Sequence, residues 1–343
     1  MSRLHTEIER LEAGRVYTGA EAEAVMEELL SGRVETPEIL RLLAALNRRP
    51  VQVQELAGFA RAMRRNATPV FADGAARPER MVDTCGTGGD GSNTFNISTA
   101  AAIVAAAAGA RVAKHGNRAA SSQCGSADVL EALGVRIDLP FERYGRAIRE
   151  IGIGFLFAQA AHTAARHAAP ARKQIGVRTV FNLLGPLTNP AGAQSQVLGV
   201  YSAQVIDLVA ATLAELGVEH AVVVHGAGGL DEISLSGESL IAEVRHGTVR
   251  RFTVTPEEFG VSRAPLEALR GGTAAENAAI IHRVLAGETG PRRDIVVMNA
   301  AAALVAAGVA ASFHEAAILA GETISSGAAT AKLAALAAFT SAG

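Results

Sequence analysis

The fold of this chain is decided by the stretch Met81-Val-Asp-Thr-Cys-Gly-Thr-Gly-Gly-Asp-Gly-Ser-Asn-Thr-Phe-Asn-Ile-Ser-Thr99, which leads into the alanine-rich residues 100–109. Its apolar start predicts a strand, its glycines predict a loop, and Ser98-Thr99 predicts the beginning of a helix. Glycines let backbone N–H groups converge on an anion, and a helix start adds free N–H groups. The pattern is typical of a phosphate site, although it matches neither the dinucleotide fingerprint nor the Walker loop. Asp90 inside the loop indicates hydroxyl binding or an adjacent metal.

From residue 80 onward, predicted strands and helices alternate. Strands are predicted at 80–83, 111–114, 153–157, 196–201, 220–225, 239–245 and 249–254. Helices are predicted at 98–109, 126–133, 141–151, 204–217, 273–287 and 294–308, with more to the end. This alternation predicts an α/β fold whose mainly parallel central sheet is flanked by helices. Ligands of such sheets bind beyond the carboxyl ends of the strands, so the glycine loop and the loops at Lys114 and His225 should share one edge.

The amino-terminal residues predict a small all-helical domain. Residues 2–66 have the apolar spacing of four short helices, with a capping box at Thr18 and Glu21 and an N-cap at Thr36. We therefore expect a helical domain over 1–70, a connecting hinge at 67–79 and a large α/β domain over 75–343. Intrachain packing and a dimer surface both remain open for the helices, since two-fold dimers are the commonest oligomers.

Composition narrows the class of protein. The 32 basic and 34 acidic residues nearly balance, which argues against a nucleic-acid partner. Cys85 and Cys124 make no disulfide framework and indicate reduced residues of a cytoplasmic protein. The amino terminus lacks the apolar core of a signal peptide. The apolar stretches near 100–109 and 295–311 predict buried helices rather than membrane spans, so we expect no membrane partner.

A second candidate segment begins at Lys114. Lys114 and Arg118 stay cationic and can donate hydrogen bonds to a diphosphate or ribose phosphate, and nearby serines add hydroxyl donors. A solvated basic turn with a serine N-cap is the alternative. The lone His115 receives no proton-transfer role. Asn117 can accept from an arylamine and donate to a carboxylate without changing charge.

Residues 158–176 carry several basic side chains. His162 and His167 do not share a helical face at this spacing, which excludes a metal site formed by the two. Arg172, after Pro170, can hold a small carboxylate in a bidentate fork, whereas an exposed structural arginine is the alternative.

Asp231 and Glu232 follow the apolar strand at 220–225 and a glycine-rich turn. Two carboxylates in a loop can reach one ion, and hard oxygens beside a diphosphate indicate Mg²⁺. A charged turn at a strand end is the alternative. After Ser236 the remaining residues are interpreted as scaffold.

Several of these segments resemble one enzyme family in residues and in order. They are Asp83-Thr-Cys-Gly-Thr-Gly-Gly-Asp90, Asn96-Ile-Ser-Thr99, Lys114-His-Gly-Asn-Arg-Ala-Ala-Ser-Ser122, Gly125-Ser-Ala-Asp128, Asn182-Leu-Leu-Gly-Pro-Leu-Thr-Asn-Pro190 and Gly228-Gly-Leu-Asp-Glu-Ile-Ser234. They resemble anthranilate phosphoribosyltransferase, a member of glycosyltransferase family 3 and the nucleoside phosphorylase–phosphoribosyltransferase fold group, over nearly the whole chain. The resemblance implies transfer of phosphoribose from phosphoribosyl pyrophosphate to the amino group of anthranilate, a step of tryptophan biosynthesis.

The resemblance also implies the ligands of individual residues. Those that would hold phosphoribosyl pyrophosphate are Gly86, Gly89, Asp90, Thr94, Asn96, Ile97, Ser98, Thr99, Lys114, His115, Gly116, Asn117, Arg118, Ala119, Ala120, Ser121, Ser122 and Ser126. Those that would hold anthranilate are Gly86, Asn117 and Arg172. Those that would hold Mg²⁺, with two ions per active site, are Ser98, Asp231 and Glu232. The resemblance further implies a homodimer through the amino-terminal helices. It also implies that a helical segment near 170–190 belongs to the same small helical domain.

One segment departs from the family pattern. The family usually has His-His-Pro-Ala-Met where this chain has Ala161-His162-Thr163-Ala164-Ala165. The smaller residues predict a roomier acceptor channel. Two alternative functions remain: a pyrimidine-nucleoside phosphorylase of the same fold group, and a non-catalytic relative that binds nucleic acid.

Overall fold

The computed structural model describes residues 3–72, 74, 76–119 and 123–342. Its amino-terminal part is a bundle of four helices: α1 (Arg3–Glu12), α2 (Gly19–Leu30), α3 (Thr36–Leu46) and α4 (Val53–Arg65). The predicted capping box is confirmed, because Thr18 Oγ1 accepts from the Glu21 N–H and the Glu21 carboxylate accepts from the Thr18 N–H. The N-cap predicted at Thr36 is wrong by one residue. Glu35 occupies that position without a side-chain cap, and Pro37 lies within the first turn.

A seven-stranded sheet organises the rest of the chain. Its strands are β1 (Met81–Asp83), β2 (Arg111–Gly116), β3 (Ile153–Phe157), β4 (Ser195–Gly199), β5 (His220–His225), β6 (Ser239–Arg245) and β7 (Thr248–Val254). The order across the sheet is β3-β2-β1-β4-β5-β6-β7. The first five strands are parallel, and β6 and β7 are antiparallel, so the predicted mainly parallel sheet is confirmed.

Helices lie between and after these strands. They are α5 (Ile97–Ala107), α6 (Ser126–Ala132), α7 (Phe141–Glu150), α8 (Ala158–Ala161), α9 (Ala169–Ile175), α10 (Phe181–Leu184), α11 (Ile206–Glu215), α12 (Ala274–Leu285), α13 (Pro291–Ala306), α14 (Phe313–Ser325) and α15 (Ala328–Ser341). The two alanine-rich stretches form α5 and α13, whose middle residues are buried. No helix in the described ranges combines the length and apolarity that a membrane span requires.

Both faces of the sheet are covered by apolar residues. Val222 and Val224 of β5 belong to one core cluster, with residues of α5 and α13. Ala221 and Val223 point to the other face and belong to a second cluster with the bundle helices, α9 and α11. Because successive side chains of a strand alternate between faces, this division explains why the parallel strands are continuously apolar.

One predicted loop is part of the sheet. The predicted strand at 111–114 is two residues too short, because β2 continues through His115 and Gly116, which were expected in the second loop. The extension pairs His115 with Leu156 and Gly116 with Phe157 of β3. The polar side chains of Lys114 and His115 are buried there, which sequence patterning alone does not predict.

Candidate active site

The glycine loop connects the carboxyl end of β1 to the start of α5. Gly88, Gly89 and Gly91 have φ values of 63°, 73° and 75°, a region that favours glycine. The loop then enters α5 at Ile97, one residue before the predicted start. Free N–H groups of the loop and of the first helical turn therefore lie in one short segment, as an anion site requires.

The segment after β5 packs directly onto this loop. Asp231 Oδ2 accepts a hydrogen bond from the Gly88 N–H at 2.8 Å, and the Asp231 N–H donates to Asp90 Oδ2 at 3.4 Å. Gly199, the last residue of β4, makes this approach possible. A Cβ on Gly199 would lie 1.5 Å from the Asp231 carbonyl oxygen, and one on Gly86 would lie 3.0 Å from Asp231 Oδ2. The glycine loop and the acidic segment thus share one edge of the sheet, as predicted.

Lys114 reaches the same edge from inside the sheet. Its side chain is buried, and its Nζ donates to the Thr84 carbonyl oxygen at 3.2 Å and to Thr84 Oγ1 at 3.1 Å. Ser98 Oγ, at the start of α5, lies 3.4 Å from the same Nζ. Lys114 therefore joins the end of β1 to the helix start and places its charge under the glycine loop.

The carboxylates at this edge lie close enough together to repel one another. Burial, and then the neighbouring Asp90, raise the pKa of Asp231. Burial and Asp231 raise the pKa of Glu232 well above its usual value, against the opposing effects of Lys114 and Ser98. A divalent cation would relieve this repulsion, and oxygen donors from Asp231, Glu232 and Ser98 suit Mg²⁺. The residues present therefore fit the predicted magnesium site.

A buried polar cluster supports the edge from below. Asp83 Oδ1 accepts from the His115 N–H at 3.0 Å, and Asp83 Oδ2 accepts from Asn189 Nδ2 at 2.8 Å. Asn189 also donates to the Ala113 carbonyl oxygen, so it connects the segment of residues 182–190 to β2. Burial raises the pKa of Asp83 to about 6. The 182–190 segment thus positions the strand ends that carry the candidate site.

His115 belongs to this support. Its ring is buried and lies edge-on to the ring of His162, with centroids 5.3 Å apart. Burial, and then His162, lower its pKa to about 3, so the ring is neutral at physiological pH. This agrees with giving His115 no proton-transfer role.

The segment after β2 is held by polar contacts of its own. Asn117 Oδ1 accepts from the Arg118 N–H at 2.8 Å and from Gln159 Nε2 at 3.2 Å. Ser126 Oγ contacts the Asn117 main chain at 3.1 and 3.2 Å. The Arg118 guanidinium forms ion pairs with Asp128 and Glu131, at 2.9 and 2.6 Å. Arg118 is therefore paired with acids of α6 rather than left available for an anion.

Other residues predicted to bind phosphoribosyl pyrophosphate contact the scaffold, are buried or lie outside the described residues. Asn96 uses its side chain to contact Asn277 and the Cys124 carbonyl oxygen. Ile97 is buried, and Thr99 Oγ1 is buried without a hydrogen-bond partner among the described residues. The predicted residues Ala120, Ser121 and Ser122 lie outside the described residues.

Arg172, the candidate for binding anthranilate, lies exposed on α9, with its guanidinium 5.1 Å from the ring centroid of Phe181.

The roomier acceptor channel predicted at residues 161–165 needs a correction. Ala161 is fully buried within a core cluster, so it cannot line an open channel. Its small size fills a tight interior position, and only Thr163 and Ala164 remain as candidates for a wider channel.

Sequence reasoning missed Arg178 and its partner Tyr201. The Arg178 guanidinium donates to the Gly89 carbonyl oxygen and stacks on the Tyr201 ring, with its Cζ 4.1 Å from the ring centroid. Gln159, which contacts Asn117, was also missed. None of these residues belongs to a recognisable sequence motif. Their partners are distant in sequence, and only the fold brings them together.

Comparison with known proteins places the chain in a family. The helical bundle domain of the glycosyl transferase family matches residues 7–67, and its a/b domain matches residues 78–330. Anthranilate phosphoribosyltransferase of Pelotomaculum thermopropionicum is 52% identical over 333 residues, which cover 97% of this chain and 95% of the relative. The Chloroflexus aggregans enzyme of that name is 54% identical over 323 residues, 94% of each chain.

Solved structures agree with this placement. The crystal structure of anthranilate phosphoribosyltransferase from Thermus thermophilus superposes with a TM-score of 0.92 at 48% identity, covering 98% of this chain and 99% of that one. The Saccharomyces cerevisiae enzyme in complex with PRPP and Mg gives a TM-score of 0.89 at 27% identity, covering 98% of each chain. The chain therefore belongs to the anthranilate phosphoribosyltransferase family.

Proposed function

We propose that the described edge of the sheet binds phosphoribosyl pyrophosphate with Mg²⁺ and transfers its phosphoribosyl group to anthranilate. The products are N-(5-phosphoribosyl)anthranilate and pyrophosphate. The observation that carries the proposal is the contact between the glycine loop and the acidic segment, in which Asp231 lies 2.8 Å from the Gly88 nitrogen. Anion donors and metal-binding carboxylates meet there, as a metal-bound diphosphate requires.

The donor would lie along the glycine loop and the start of α5. Backbone N–H groups of Gly86, Gly89 and the first turn of α5 would hold the diphosphate, and Asp90 would accept from ribose hydroxyls. Ser98, Asp231 and Glu232 would hold Mg²⁺, two ions per site, as in the sequence-based hypothesis. A yeast relative was solved in complex with PRPP and Mg, which supports the binding of both ligands here.

The chemistry follows from charge. When the bond to the diphosphate breaks, negative charge develops on the leaving group and positive charge on the ribosyl carbon. Bound Mg²⁺ supplies positive charge for the diphosphate. Lys114 adds its own cationic charge at the start of α5, where it is fixed before reaction by Thr84 and Ser98. Because an arylamine is already nucleophilic, the site needs no strong general base, and positioning carries much of the rate.

The acceptor would lie between Asn117 and Arg172. The Asn117 amide is exposed and oriented by Gln159, and Arg172 provides an exposed fork for the carboxylate. A yeast relative was solved in complex with 4-fluoroanthranilate, which supports an aminobenzoate acceptor.

The assembly and location belong to the same proposal. We expect a homodimer through the amino-terminal helices, with α9 and α10, whose buried residues share their core cluster, in the same domain. Cys85 and Cys124 form no disulfide with each other, which suits a reducing cytoplasm.

An acceptor panel tests the proposal. The protein is incubated with phosphoribosyl pyrophosphate and anthranilate, nicotinate, uracil or adenine, with and without Mg²⁺, and pyrophosphate release is measured. Among the four acceptors, we expect pyrophosphate release with anthranilate only, and only when Mg²⁺ is present. Turnover with uracil but none with anthranilate would contradict the acceptor, and metal-independent phosphorolysis of a pyrimidine nucleoside would favour the phosphorylase. Salt-sensitive binding of an oligonucleotide without any turnover would favour the non-catalytic alternative.

A further inference from the structure

We infer that Arg178 is a positioning residue that holds the glycine loop in its donor-binding shape from the side of the helical bundle. Arg178 lies after the left-handed C-cap of α9 at Gly176, and its side chain extends to the large domain. There it donates to the carbonyl oxygen of Gly89, a loop residue with φ of 73°. This contact fixes the peptide plane of Gly89 and therefore the direction of the neighbouring loop N–H groups.

Tyr201 holds the arginine in place. The guanidinium lies over its ring, with Cζ 4.1 Å from the ring centroid, and this cation–π contact limits the freedom of an otherwise exposed side chain. The Tyr201 backbone belongs to the same arrangement, because its N–H donates to Thr87 Oγ1 at 3.0 Å, while the Thr87 N–H donates to the Gly199 carbonyl oxygen. Ring, arginine and loop thus form one unit at the end of β4.

The other end of Arg178 is tied to the bundle. Its carbonyl oxygen accepts from Asn47 Nδ2 at 2.9 Å, and Asn47 is the C-cap of α3. Arg172, the proposed acceptor residue, lies on the helix that leads into this segment. Arg178 therefore connects the element that carries the acceptor residue to the loop that would bind the donor.

This inference rests on the proposed function, because the expected effect is on donor binding. Arg178 touches the loop backbone rather than any residue proposed as a metal ligand. It is exposed, so its removal should change loop geometry with little effect on the core. The loss of one charge-assisted hydrogen bond and a stacked ring should weaken donor binding by about tenfold.

The test measures phosphoribosyl pyrophosphate binding by calorimetry in the presence of Mg²⁺. Arg178→Ala should raise the Kd about tenfold while the KM for anthranilate and the thermal midpoint stay near wild type. Tyr201→Ala should do the same, Tyr201→Phe should bind as wild type, and the double alanine variant should be no worse than either single variant. Hydrogen exchange of loop amides 86–91, measured without ligand, should be faster in Arg178→Ala.

Arg178→Lys tests the hydrogen bond to the loop. Lysine keeps an N–H donor of nearly the same reach for the Gly89 carbonyl oxygen, so this variant should bind phosphoribosyl pyrophosphate more tightly than the alanine variant. Equal weakening in both variants would overturn the inference, and so would wild-type binding by Arg178→Ala. Failure of the wild-type protein to bind the donor would instead contradict the proposed function, while the exchange measurement would still judge the contact between Arg178 and the loop.

Discussion

Gly199→Ala should disable the site by displacing the acidic segment. The added Cβ would lie 1.5 Å from the carbonyl oxygen of Asp231 and 2.4 Å from its carbonyl carbon, both main-chain atoms. Contacts of a Cβ below 3.0 Å essentially never occur, so the segment must move by at least about 1.5 Å. Asp231 Oδ2 now lies 2.8 Å from the Gly88 nitrogen. A shift of this size away from the loop would move the two atoms beyond hydrogen-bond distance, so the bond would be lost.

The expected effect on rate follows from that displacement. A misplacement of about 1 Å can cost roughly a hundredfold in rate, and a factor of one hundred corresponds to about 2.7 kcal/mol. We therefore expect kcat/KM for phosphoribosyl pyrophosphate to fall at least about a hundredfold, with a raised Mg²⁺ requirement. Overpacking should also lower the free energy of unfolding by about 1–3 kcal/mol.

The assay is the initial rate of pyrophosphate release with anthranilate over a Mg²⁺ titration, alongside thermal unfolding. Gly185→Ala is the matched control, because nothing lies within 4 Å of its added Cβ, and it should behave as wild type. A Gly199→Ala variant with wild-type kcat/KM and unchanged Mg²⁺ dependence would refute the argument that close approach at Gly199 builds the site.

Three further predictions concern the acceptor, the loop and stability. Arg172→Ala should raise the KM for anthranilate roughly ten- to hundred-fold, and that for the donor far less, because a charge-assisted hydrogen bond of about 1.5–3 kcal/mol is lost; equal changes in steady-state kinetics would contradict this. Gly89→Val should weaken donor binding in calorimetry, since a β-branched residue is strained at φ of 73°, and wild-type affinity would show the loop to be structural only. Burial raises the pKa of Glu55, but Arg49 and two backbone N–H groups outweigh it and lower the pKa overall. Glu55 thus stabilises the fold above its unfolded pKa and loses this effect as the pH falls through the lowered value; Glu55→Gln should cost about 3 kcal/mol in denaturant unfolding at pH 7 and flatten the acid dependence.

The sequence predicted the sheet well because its strands are short apolar segments bounded by turns. The bounds predicted for β3, β5 and β6 agree with the structure. Errors occur where burial overrides polarity. The strand predicted at 111–114 ended before His115, whereas the fold buries both Lys114 and His115 and extends β2 through Gly116.

Part of the site could be predicted for a topological reason. Loops that follow parallel strands emerge at one edge, so the meeting of the glycine loop with Asp231 needed only the order of strands and loops. Its support could not be predicted in this way. The Asn189 amide donates a hydrogen bond to Asp83, which is far away in sequence. Nothing in the dipeptide Asn189-Pro190 indicates that this amide will contact a buried carboxylate.

The acceptor side was the least predictable because its residues depend on packing between the bundle and the sheet. Ala161, predicted to widen a channel, instead fills the core, while Thr68 donates to its carbonyl oxygen at 2.9 Å. On the donor side, Arg118 was chosen for its charge but directs that charge at Asp128 and Glu131. A charge in a sequence shows only that an anion can be bound, and the fold determines whether that anion is a ligand or a neighbouring helix. For Arg178 the fold makes the opposite choice, because it directs the guanidinium at the Gly89 carbonyl oxygen of the loop on which the proposed chemistry depends.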